Sequence, residues 1–299
     1  MNLFANSSNN ASMDEIRTWQ QAMDYTFKTR HTWRHGNGAK TSRINCGHFT
    51  RLRGVSFPIK KITQPIIAQL CIELEDEGKT DATINRVVSA ISTVLNHCAF
   101  DGLIDTPPKF RRRKESEGRV LWYTKDEVAK LIGLSTDVFM REDLADIIQF
   151  AAYTGMRQGE ILKIRAKDID FESNRIHVGG APTQTTKAKN WRAIPIHDCV
   201  WEILHLRCSQ VTRKDVQLFG DEWRDKDQLL RAFKKVNKLL PKEESYVFHT
   251  LRHSYATWLA EAGVPIRSIM ALCGHKRIET TLRYAKATDA ALTDAMAAI

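Results

Sequence analysis

Three short segments in the second half of the chain combine cationic or imidazole side chains with sharp turns. The first contains Arg157, two positions after Gly155 and three before Glu160. An arginine that begins a helix after a glycine turn can grip an oxyanion with two parallel N–H groups, beside exposed backbone donors. The alternative, for this segment alone, is an ordinary surface arginine paired with Glu160. An oxyanion site is therefore expected only in combination with the other two segments.

The second segment is a His-x-x-Arg pair formed by His249 and Arg252. Residues three apart project from one face of a helix, so the two side chains can reach a common ligand. His253 lies about 100° around the helix from Arg252, and we expect it to be structural. Alone, such a pair is weak evidence for a catalytic role.

The third segment runs from Gly274 and His275 to Tyr284, nine positions after His275. A phenol has an ordinary pKa of about 10, so a tyrosine acts as a nucleophile only with a base and nearby cations. A single tyrosine at the end of a helix is more often a core residue. The case for chemistry depends on the three segments together.

The elements that must position these residues are mostly helical. Thr124 and Glu127 form a capping-box pattern, which predicts a helix start. Four further helices are expected at 142–153, 157–165, 198–211 and 226–240. Short strands are expected at 168–171, 175–178 and 192–196, the last two forming a hairpin around a polar loop. The stretch 249–299 is predicted to be helical, with breaks at 263–265 and at Gly274.

The 299 residues divide by pattern into two domains. A polar tail at 1–12 precedes a stretch at 13–106 in which apolar residues recur at helical spacing, which predicts a small α-domain. Pro107 and Pro108 stop that pattern and introduce a basic linker at 107–119. The second domain is expected at 120–299.

Composition favours a polyanionic partner. The net charge is +10, which suits nucleic acid or an anionic membrane, but no apolar run approaches ~18 residues. The N-terminal sequence has no signal-peptide pattern, so a cytoplasmic location is expected. The six cysteines have no zinc-site spacing, and reduced, buried thiols are expected.

Together the three segments resemble the tyrosine recombinase (phage integrase) family. The hairpin stretch 186–195 is similar to the family's lysine hairpin, with Lys187 at the lysine position and Lys189 as the neighbouring alternative. The stretch from Thr83 to Arg86 is more weakly similar to the family's core-binding domain. The layout resembles the shorter Xer-type and simple phage recombinases more than lambda-type integrases with an arm-binding domain.

The resemblance implies a mainly α fold with a small β-sheet or hairpin in the catalytic domain, and a two-domain, C-shaped clamp on double-stranded DNA. It implies DNA cleavage and rejoining through a 3′-phosphotyrosine on Tyr284, with Arg157 and Arg252 on the phosphate oxygens. His249 is the implied base, Lys187 the acid that protonates the 5′ oxygen, and His275 a hydrogen-bond donor to the phosphate. Glu160 is the implied supporting residue, with Arg157 as its expected partner.

Further phosphate contacts are expected from a helix start in the first domain and from the linker: Lys79, Thr83, Arg86, Arg111, Arg112, Arg113 and Lys114. The alternatives are a capped, solvated helix start and a solvated charge run. Because the covalent bond conserves the phosphodiester's energy, no cofactor and no metal are expected. The sequence has neither a Walker motif nor clustered carboxylates.

Expected partners are DNA, further copies of this chain in a synaptic tetramer, and accessory DNA-bending or directionality proteins, but no membrane. The C-terminal segment is expected to form a short helix that packs on its own domain or on a neighbouring protomer. The predicted role is integration or excision of a mobile element. The alternatives are resolution of chromosome or plasmid dimers, a type IB topoisomerase-like activity, and a non-catalytic DNA-binding protein.

Overall fold

A computed structural model gives the fold. It describes residues 16–36, 38–115, 120–179, 191–220, 222–223, 226–242, 246–284 and 296. The chain forms two compact units, Met1–Gly118 and Arg119–Ile299. As the sequence predicts, the fold is mainly helical with a small sheet in the second unit.

The first unit is a helical bundle. Its described helices are α1 (Trp19–Thr29), α2 (His31–Arg34), α3 (Gly38–Arg53), α4 (Gln64–Asp76) and α5 (Asp81–Phe100). The apolar spacing predicted for α4 and α5 is seen in the core, where Ile67, Leu70, Ile84 and Ile91 are fully buried. Helix α5 begins after the Thr80 cap, which is earlier than the apolar pattern that begins at Ile84 suggests.

The basic stretch after the first unit's last helix lies against that helix. The Arg113 backbone N–H donates to the side-chain carbonyl of Asn85 at 2.9 Å, and the Asn85 side-chain amide donates to the Arg113 carbonyl at 2.9 Å. Arg112 donates to the Ser89 hydroxyl at 2.6 Å. This part of the predicted linker therefore packs on α5.

The second unit contains the remaining described helices, namely α6 (Lys125–Gly133), α7 (Glu142–Thr154), α8 (Gln158–Ile161), α9 (Asp198–Ser209), α10 (Lys226–Asn237), α11 (Thr250–Glu261), α12 (Ile266–Cys273) and α13 (Glu279–Leu282). The Thr124–Glu127 capping box predicted at the start of α6 is present. A π-helical turn at Leu134–Val138 connects α6 towards α7. The core is built on α7, whose apolar face carries Ile147, Ile148 and Phe150.

The sheet of the second unit has three antiparallel strands in the order β1 (Ile169–Asp170), β2 (Arg175–Val178) and β3 (Arg192–Pro195). The predicted hairpin is confirmed, with Ile176 opposite Ile194. The first strand is shorter than predicted, because Ala166–Asp168 is a 3-10 turn closed by the Asp168 carboxylate. The helix predicted at 157–165 is also too long. It ends at Ile161, and the chain then meets Leu218, whose N–H donates to the Ile164 carbonyl.

Candidate active site

Two glycine turns bring the three segments together. Helix α7 ends at Gly155, whose φ of +60° suits glycine, and a Cβ there would lie 2.3 Å from the Tyr255 ring. Helix α12 ends at Gly274, with φ +64°, where a Cβ would lie 2.8 Å from an Arg192 nitrogen. At both turns the glycine backbone lies close to a neighbouring side chain. Any larger residue in place of the glycine would displace that side chain.

Arg157 lies immediately before α8 and is held by its own helix and by the α12 turn. Its Nη1 donates to Glu160 Oε1 at 3.0 Å, and its Nη2 donates to the Gly274 carbonyl at 3.1 Å. The Glu160 carboxylate, in turn, accepts from the Arg157 backbone N–H at 2.9 Å. The structure thus has the Arg157–Glu160 contact that was expected. Arg157 keeps 42% of its side chain exposed, so the guanidinium is accessible to a ligand.

Arg192 on β3 is a second partner of Glu160, and the sequence alone did not reveal it. Its two terminal nitrogens donate to the Glu160 carboxylate at 3.2 and 2.9 Å, and its Nε donates to the Leu272 carbonyl at 2.9 Å. The alternation of β3 contained a signal. Arg192 shares its face with the buried Ile194, and a cation at a core-facing position needs a partner.

Glu160 is ionised in this arrangement. Burial alone would raise its pKa, but hydrogen bonds from Arg192 and from the Arg157 backbone, together with both positive charges, lower the pKa to about 2. One carboxylate therefore serves two guanidinium groups, which leaves this cluster positive.

Arg252 on α11 is 3% exposed and is held by two main-chain carbonyls. One nitrogen donates to Gly155 at 2.6 Å and the other to Cys273 at 2.5 Å, at the C-terminal ends of α7 and α12. Helix C-termini carry free carbonyls and partial negative charge, so they can hold a buried cation. Burial lowers the pKa of Arg252 to about 10, which leaves it charged at neutral pH.

His275 follows the Gly274 turn and is buried. Its Nδ1 lies 2.8 Å from the Thr281 hydroxyl, which fixes the ring. Burial, and then the charges of Arg252 and Arg157, lower the pKa of His275 to about 4, so the imidazole is neutral near pH 7. A neutral imidazole can donate one hydrogen bond to a phosphate oxygen.

Tyr284 lies two residues after α13 and is 6% exposed. Its ring is parallel to that of His275, with 6.3 Å between centroids, and it packs with Ile269 and Cys273. Burial raises the pKa of the Tyr284 phenol, and the positive charge of Arg252 offsets part of that rise. The phenol is therefore protonated near neutral pH.

The Tyr284 hydroxyl forms a hydrogen bond with Nδ1 of His253. His249 is exposed, and its ring packs edge-on against His253 with 4.9 Å between centroids. The part of the His249 ring that is packed against the protein loses hydration, which lowers the pKa of His249, and the charges of Arg252 and Arg157 lower it further. The imidazole that contacts the phenol is thus that of His253, for which the helical wheel predicted a structural role.

A cavity of about 370 Å³ lies at the accessible side of this cluster. It is lined by Arg157, Glu160, Gly274, His275, Lys276, Arg277 and Thr280. Arg252 and Tyr284 do not line it. The walls combine guanidinium, ammonium, imidazole and hydroxyl groups with one carboxylate, which suits an anion of phosphate size.

Of the remaining candidates, some lie outside the described residues and the others lie in the first unit. Lys187 and Lys189 lie outside the described residues, as does the C-terminal segment apart from Met296. In the first unit Lys79 and Arg86 are exposed, and the Thr83 hydroxyl lies 3.1 Å from that of Thr80. Arg111 and Lys114 are exposed as well.

Arg113, by contrast, is paired with acids. Its guanidinium contacts Glu75 at 2.8 Å and Asp81 at 3.2 Å. Within the described part of the linker, the charge of Arg113 is thus compensated by two acids of the first unit.

Neither a metal cluster nor a membrane span is found in the part of the chain that the structure describes. Those residues contain no group of three or more His, Cys, Asp or Glu side chains placed to hold a metal ion. None of their helices is both long and apolar enough to cross a membrane.

Comparison with known proteins identifies relatives on both sequence and fold. The model of the phage integrase family matches residues 122–291. The tyrosine recombinase XerA of Thermococcus onnurineus is 29% identical over 232 residues, which cover 72% of this chain and 74% of that protein.

Solved structures share the fold at lower identity. The Tn1549 transposon integrase in complex with a circular intermediate DNA has a TM-score of 0.73 at 18% identity, over 95% of this chain and 99% of that chain. A lambda integrase dimer bound to a COC' core site has a TM-score of 0.69 at 20% identity, over 90% of this chain and 77% of that chain.

Proposed function

This chain belongs to the phage integrase family, the tyrosine recombinases, and we propose that it integrates or excises a mobile element by cutting and rejoining DNA at a specific site. The observation that carries the proposal is that Arg157 and His275 line one cavity, while Arg252 and Tyr284, from separate segments, are held beside them at the end of α12 and against the His275 ring. These groups can bind a phosphodiester and supply a nucleophile.

The electrostatics of the site suit the phosphate. The site contains three positive charges, on Arg157, Arg192 and Arg252. Among the described residues, Glu160 is the only carboxylate that is hydrogen-bonded to any of these three arginines. We assign Arg157 and Arg252 to the non-bridging oxygens, where they offset the negative charge that grows on the phosphorane. Removal of one such preorganised donor costs about 10²- to 10³-fold in rate.

The covalent step uses the phenol oxygen of Tyr284. It forms a bond to phosphorus as the bond to the 5′ oxygen breaks, leaving a 3′-phosphotyrosine and a free 5′ hydroxyl. His275 donates a hydrogen bond to the phosphate. Lys187 supplies the proton of the leaving oxygen, a role that rests on the family resemblance. Glu160 and Arg192 hold Arg157 in place.

Strand exchange between two duplexes requires several copies of the chain, and we propose a synaptic tetramer on DNA. Known structures include a lambda integrase tetramer bound to a Holliday junction. Lys79, Thr83, Arg86, Arg111 and Lys114 are proposed phosphate contacts outside the active site, because their polar or cationic groups lie at exposed or half-buried positions.

The test is covalent capture of DNA. The full chain is incubated with a pool of random-sequence duplexes that each carry one nick, and products are separated on a denaturing gel. We expect a protein–DNA adduct, whose sequenced DNA then defines a nicked suicide substrate. Absence of adduct, with DNA still bound, would support the non-catalytic alternative.

A second assay separates recombination from the topoisomerase alternative. The captured site is placed on two different duplexes and on a supercoiled plasmid. We expect joint products between the duplexes. Plasmid relaxation without any joint product would favour a type IB topoisomerase-like activity.

A further inference from the structure

The side chain of His253 is hydrogen-bonded to the phenol of Tyr284. Its Nδ1 forms a hydrogen bond with the Tyr284 hydroxyl, and the two rings are 5.7 Å apart between centroids at an angle of 39°. His249, the residue that the resemblance names as base, makes no hydrogen bond to Tyr284, and both residues are described. Its described ring contact is with His253 instead.

We propose that His253 is a catalytic residue that accepts the phenolic proton of Tyr284 when the tyrosine attacks DNA. The inference rests on the proposed function, because it presumes that Tyr284 is the nucleophile. It gives His249 a different part, which is to pack edge-on against the His253 ring and keep that ring directed at the phenol.

The proton balance of the step is simple. As the bond from the Tyr284 oxygen to phosphorus forms, the O–H proton moves to Nδ1 of His253, and the bond to the 5′ oxygen breaks. The 5′ oxygen takes its proton from a separate acid, which the family resemblance places at Lys187. In the rejoining step the incoming 5′ hydroxyl attacks phosphorus and returns its proton to that separate acid, now deprotonated. The bond from phosphorus to Tyr284 breaks, and the phenol recovers its proton from His253.

The charged surroundings keep His253 ready to accept. His249 and Arg252 face it from α11, Arg283 and Tyr284 from the chain after α13, and His275 from the α12 turn. Burial, then His249, Arg283 and Arg252, lower the pKa of His253 to about 4. The ring is therefore neutral near pH 7. The proposal requires the tautomer in which the Nδ1 lone pair accepts from the phenol and Nε2 carries the proton.

A bound phosphate changes this balance in the required direction. Its negative charge offsets the guanidinium charges that disfavour a protonated His253, so the imidazolium gains stability when the substrate is present. The base is thereby strengthened only when a phosphodiester occupies the site.

The first test uses the DNA-free chain and nitrogen-15 NMR of its histidines. We expect His253 to carry its proton on Nε2, with an Nδ1 resonance that shifts in Tyr284→Phe, because that variant loses the hydroxyl. A proton on Nδ1, or an Nδ1 resonance that Tyr284→Phe does not move, would overturn the proposal. This readout does not depend on recombinase activity.

The second test measures the rate of covalent attachment to the nicked suicide substrate. His253→Asn keeps an acceptor near the Nδ1 position but cannot take up the proton, and we expect attachment to slow by about 10²- to 10⁴-fold. The matched variants are His249→Asn, at the N-cap of the same helix, and His205→Asn, an exposed histidine of the second unit.

A more acidic phenol isolates the proton transfer. Replacement of Tyr284 by a fluorinated tyrosine lessens the need for a base, so it should restore His253→Asn by about tenfold or more and leave the ratio of His205→Asn to wild type unchanged. Attachment by His253→Asn within about threefold of wild type, or no recovery with the fluorinated phenol, would refute the assignment.

The outcomes separate this inference from the proposed function. If wild type forms an adduct and Tyr284→Phe does not, the proposed function stands whatever His253 does. If His253→Asn fails to fold by circular dichroism, His253→Gln replaces it. If neither folds, the NMR result on the unsubstituted chain decides.

Discussion

Arginines outside and inside the candidate active site are held by different kinds of partner. In the first unit Arg51 pairs with Glu77 at 2.6 Å, and Arg53 pairs with Glu73 at 2.7 Å. In the active site, Arg252 is held by two backbone carbonyls, with no carboxylate hydrogen-bonded to it in the described structure. Neutral carbonyls fix the position of the guanidinium without cancelling its positive charge, so that charge can interact with an anionic ligand.

The same contrast exists within the second unit. Arg207 is about as buried as Arg192, but it contacts two acids, Asp146 at 2.8 Å and Glu222 at 3.1 Å. Arg192 shares a single acid, Glu160, with Arg157. Burial of an arginine therefore does not mark a functional site. The ratio of cations to carboxylates does.

The largest effect is expected at the nucleophile. Tyr284→Phe removes only the hydroxyl, so covalent attachment should be abolished while the ring still packs and DNA binding persists. Denaturing gels and a gel-shift assay measure the two properties. An adduct formed by the Phe variant would show that another residue attacks the phosphate.

The next effect concerns Lys187 in the loop of the hairpin, which lies outside the described residues. Lys187→Ala should slow cleavage by about 10²- to 10⁴-fold, as expected for loss of a general acid. A substrate with sulfur in place of the scissile 5′ oxygen needs no proton, so it should restore the rate. Rescue of Lys189→Ala instead of Lys187→Ala would mean that the neighbouring lysine is the acid.

The arginine comparison itself predicts the third effect. Arg157→Ala and Arg252→Ala should each slow cleavage by roughly 10²- to 10³-fold. If Arg252→Ala does not fold, Arg252→Lys replaces it, because lysine retains a donor for one of the two carbonyls. Single-turnover cleavage rates of folded protein test this.

Arg207→Met is the control for the arginine comparison. We expect a lower melting temperature, since Asp146 and Glu222 lose their shared cation, but a nearly unchanged cleavage rate. A cleavage defect in Arg207→Met as large as that in Arg157→Ala would break the distinction between neutralised and available arginines.

A fourth effect appears in acid stability. The pKa of Glu160 is lowered to about 2 in the folded chain, below the unfolded value of about 4.3. Its contribution to stability is therefore complete above the unfolded pKa and disappears as the pH falls towards about 2. Arg192→Met should raise the pKa of Glu160 and move acid unfolding to higher pH, as followed by circular dichroism.

The control for the acid experiment is Arg213→Met, which breaks an exposed ion pair with Asp215. Water and salt screen an exposed pair, so it contributes little to stability and the acid midpoint of Arg213→Met should change little. Equal shifts in the two variants would contradict a special role for the Arg192–Glu160 contact.

The smallest effect on DNA binding is expected in the linker, which contains both exposed cations and arginines that are bonded within the first unit. Neutralising Arg111 and Lys114 should weaken DNA binding and reduce the salt dependence, by up to about 0.9 log units for each phosphate that is no longer neutralised. Neutralising Arg112 and Arg113 should lower stability more, because they bond to Ser89, Glu75 and Asp81. Sequence discrimination should change little in both. Equal salt slopes in all variants would remove the linker from the DNA interface.

Helix types and the hairpin could be predicted because they depend on local periodicity and turn residues. The Thr124–Glu127 cap and the register of β2 with β3 are examples. The short α8 could not be predicted, because its end is set by a long-range hydrogen bond from Leu218 to Ile164.

Contacts between distant segments limited the site prediction. The segments around Arg157, Arg252 and Tyr284 could be linked only by a family resemblance. Arg192 was missed because its partners, Glu160 and Leu272, are distant in sequence. His253 was assigned to structure because a helical wheel shows which residues share a face with Arg252 but does not show what meets the neighbouring face.

The central claim is a covalent bond between Tyr284 and a 3′ phosphate. The adduct from the suicide substrate should be digested with trypsin and nuclease and its modified peptide sequenced by mass spectrometry. The account predicts a nucleotide on the Tyr284 oxygen through its 3′ phosphate, with a free 5′ hydroxyl on the released strand. A nucleotide on any other residue, or a 5′-phosphate linkage on Tyr284, would contradict it.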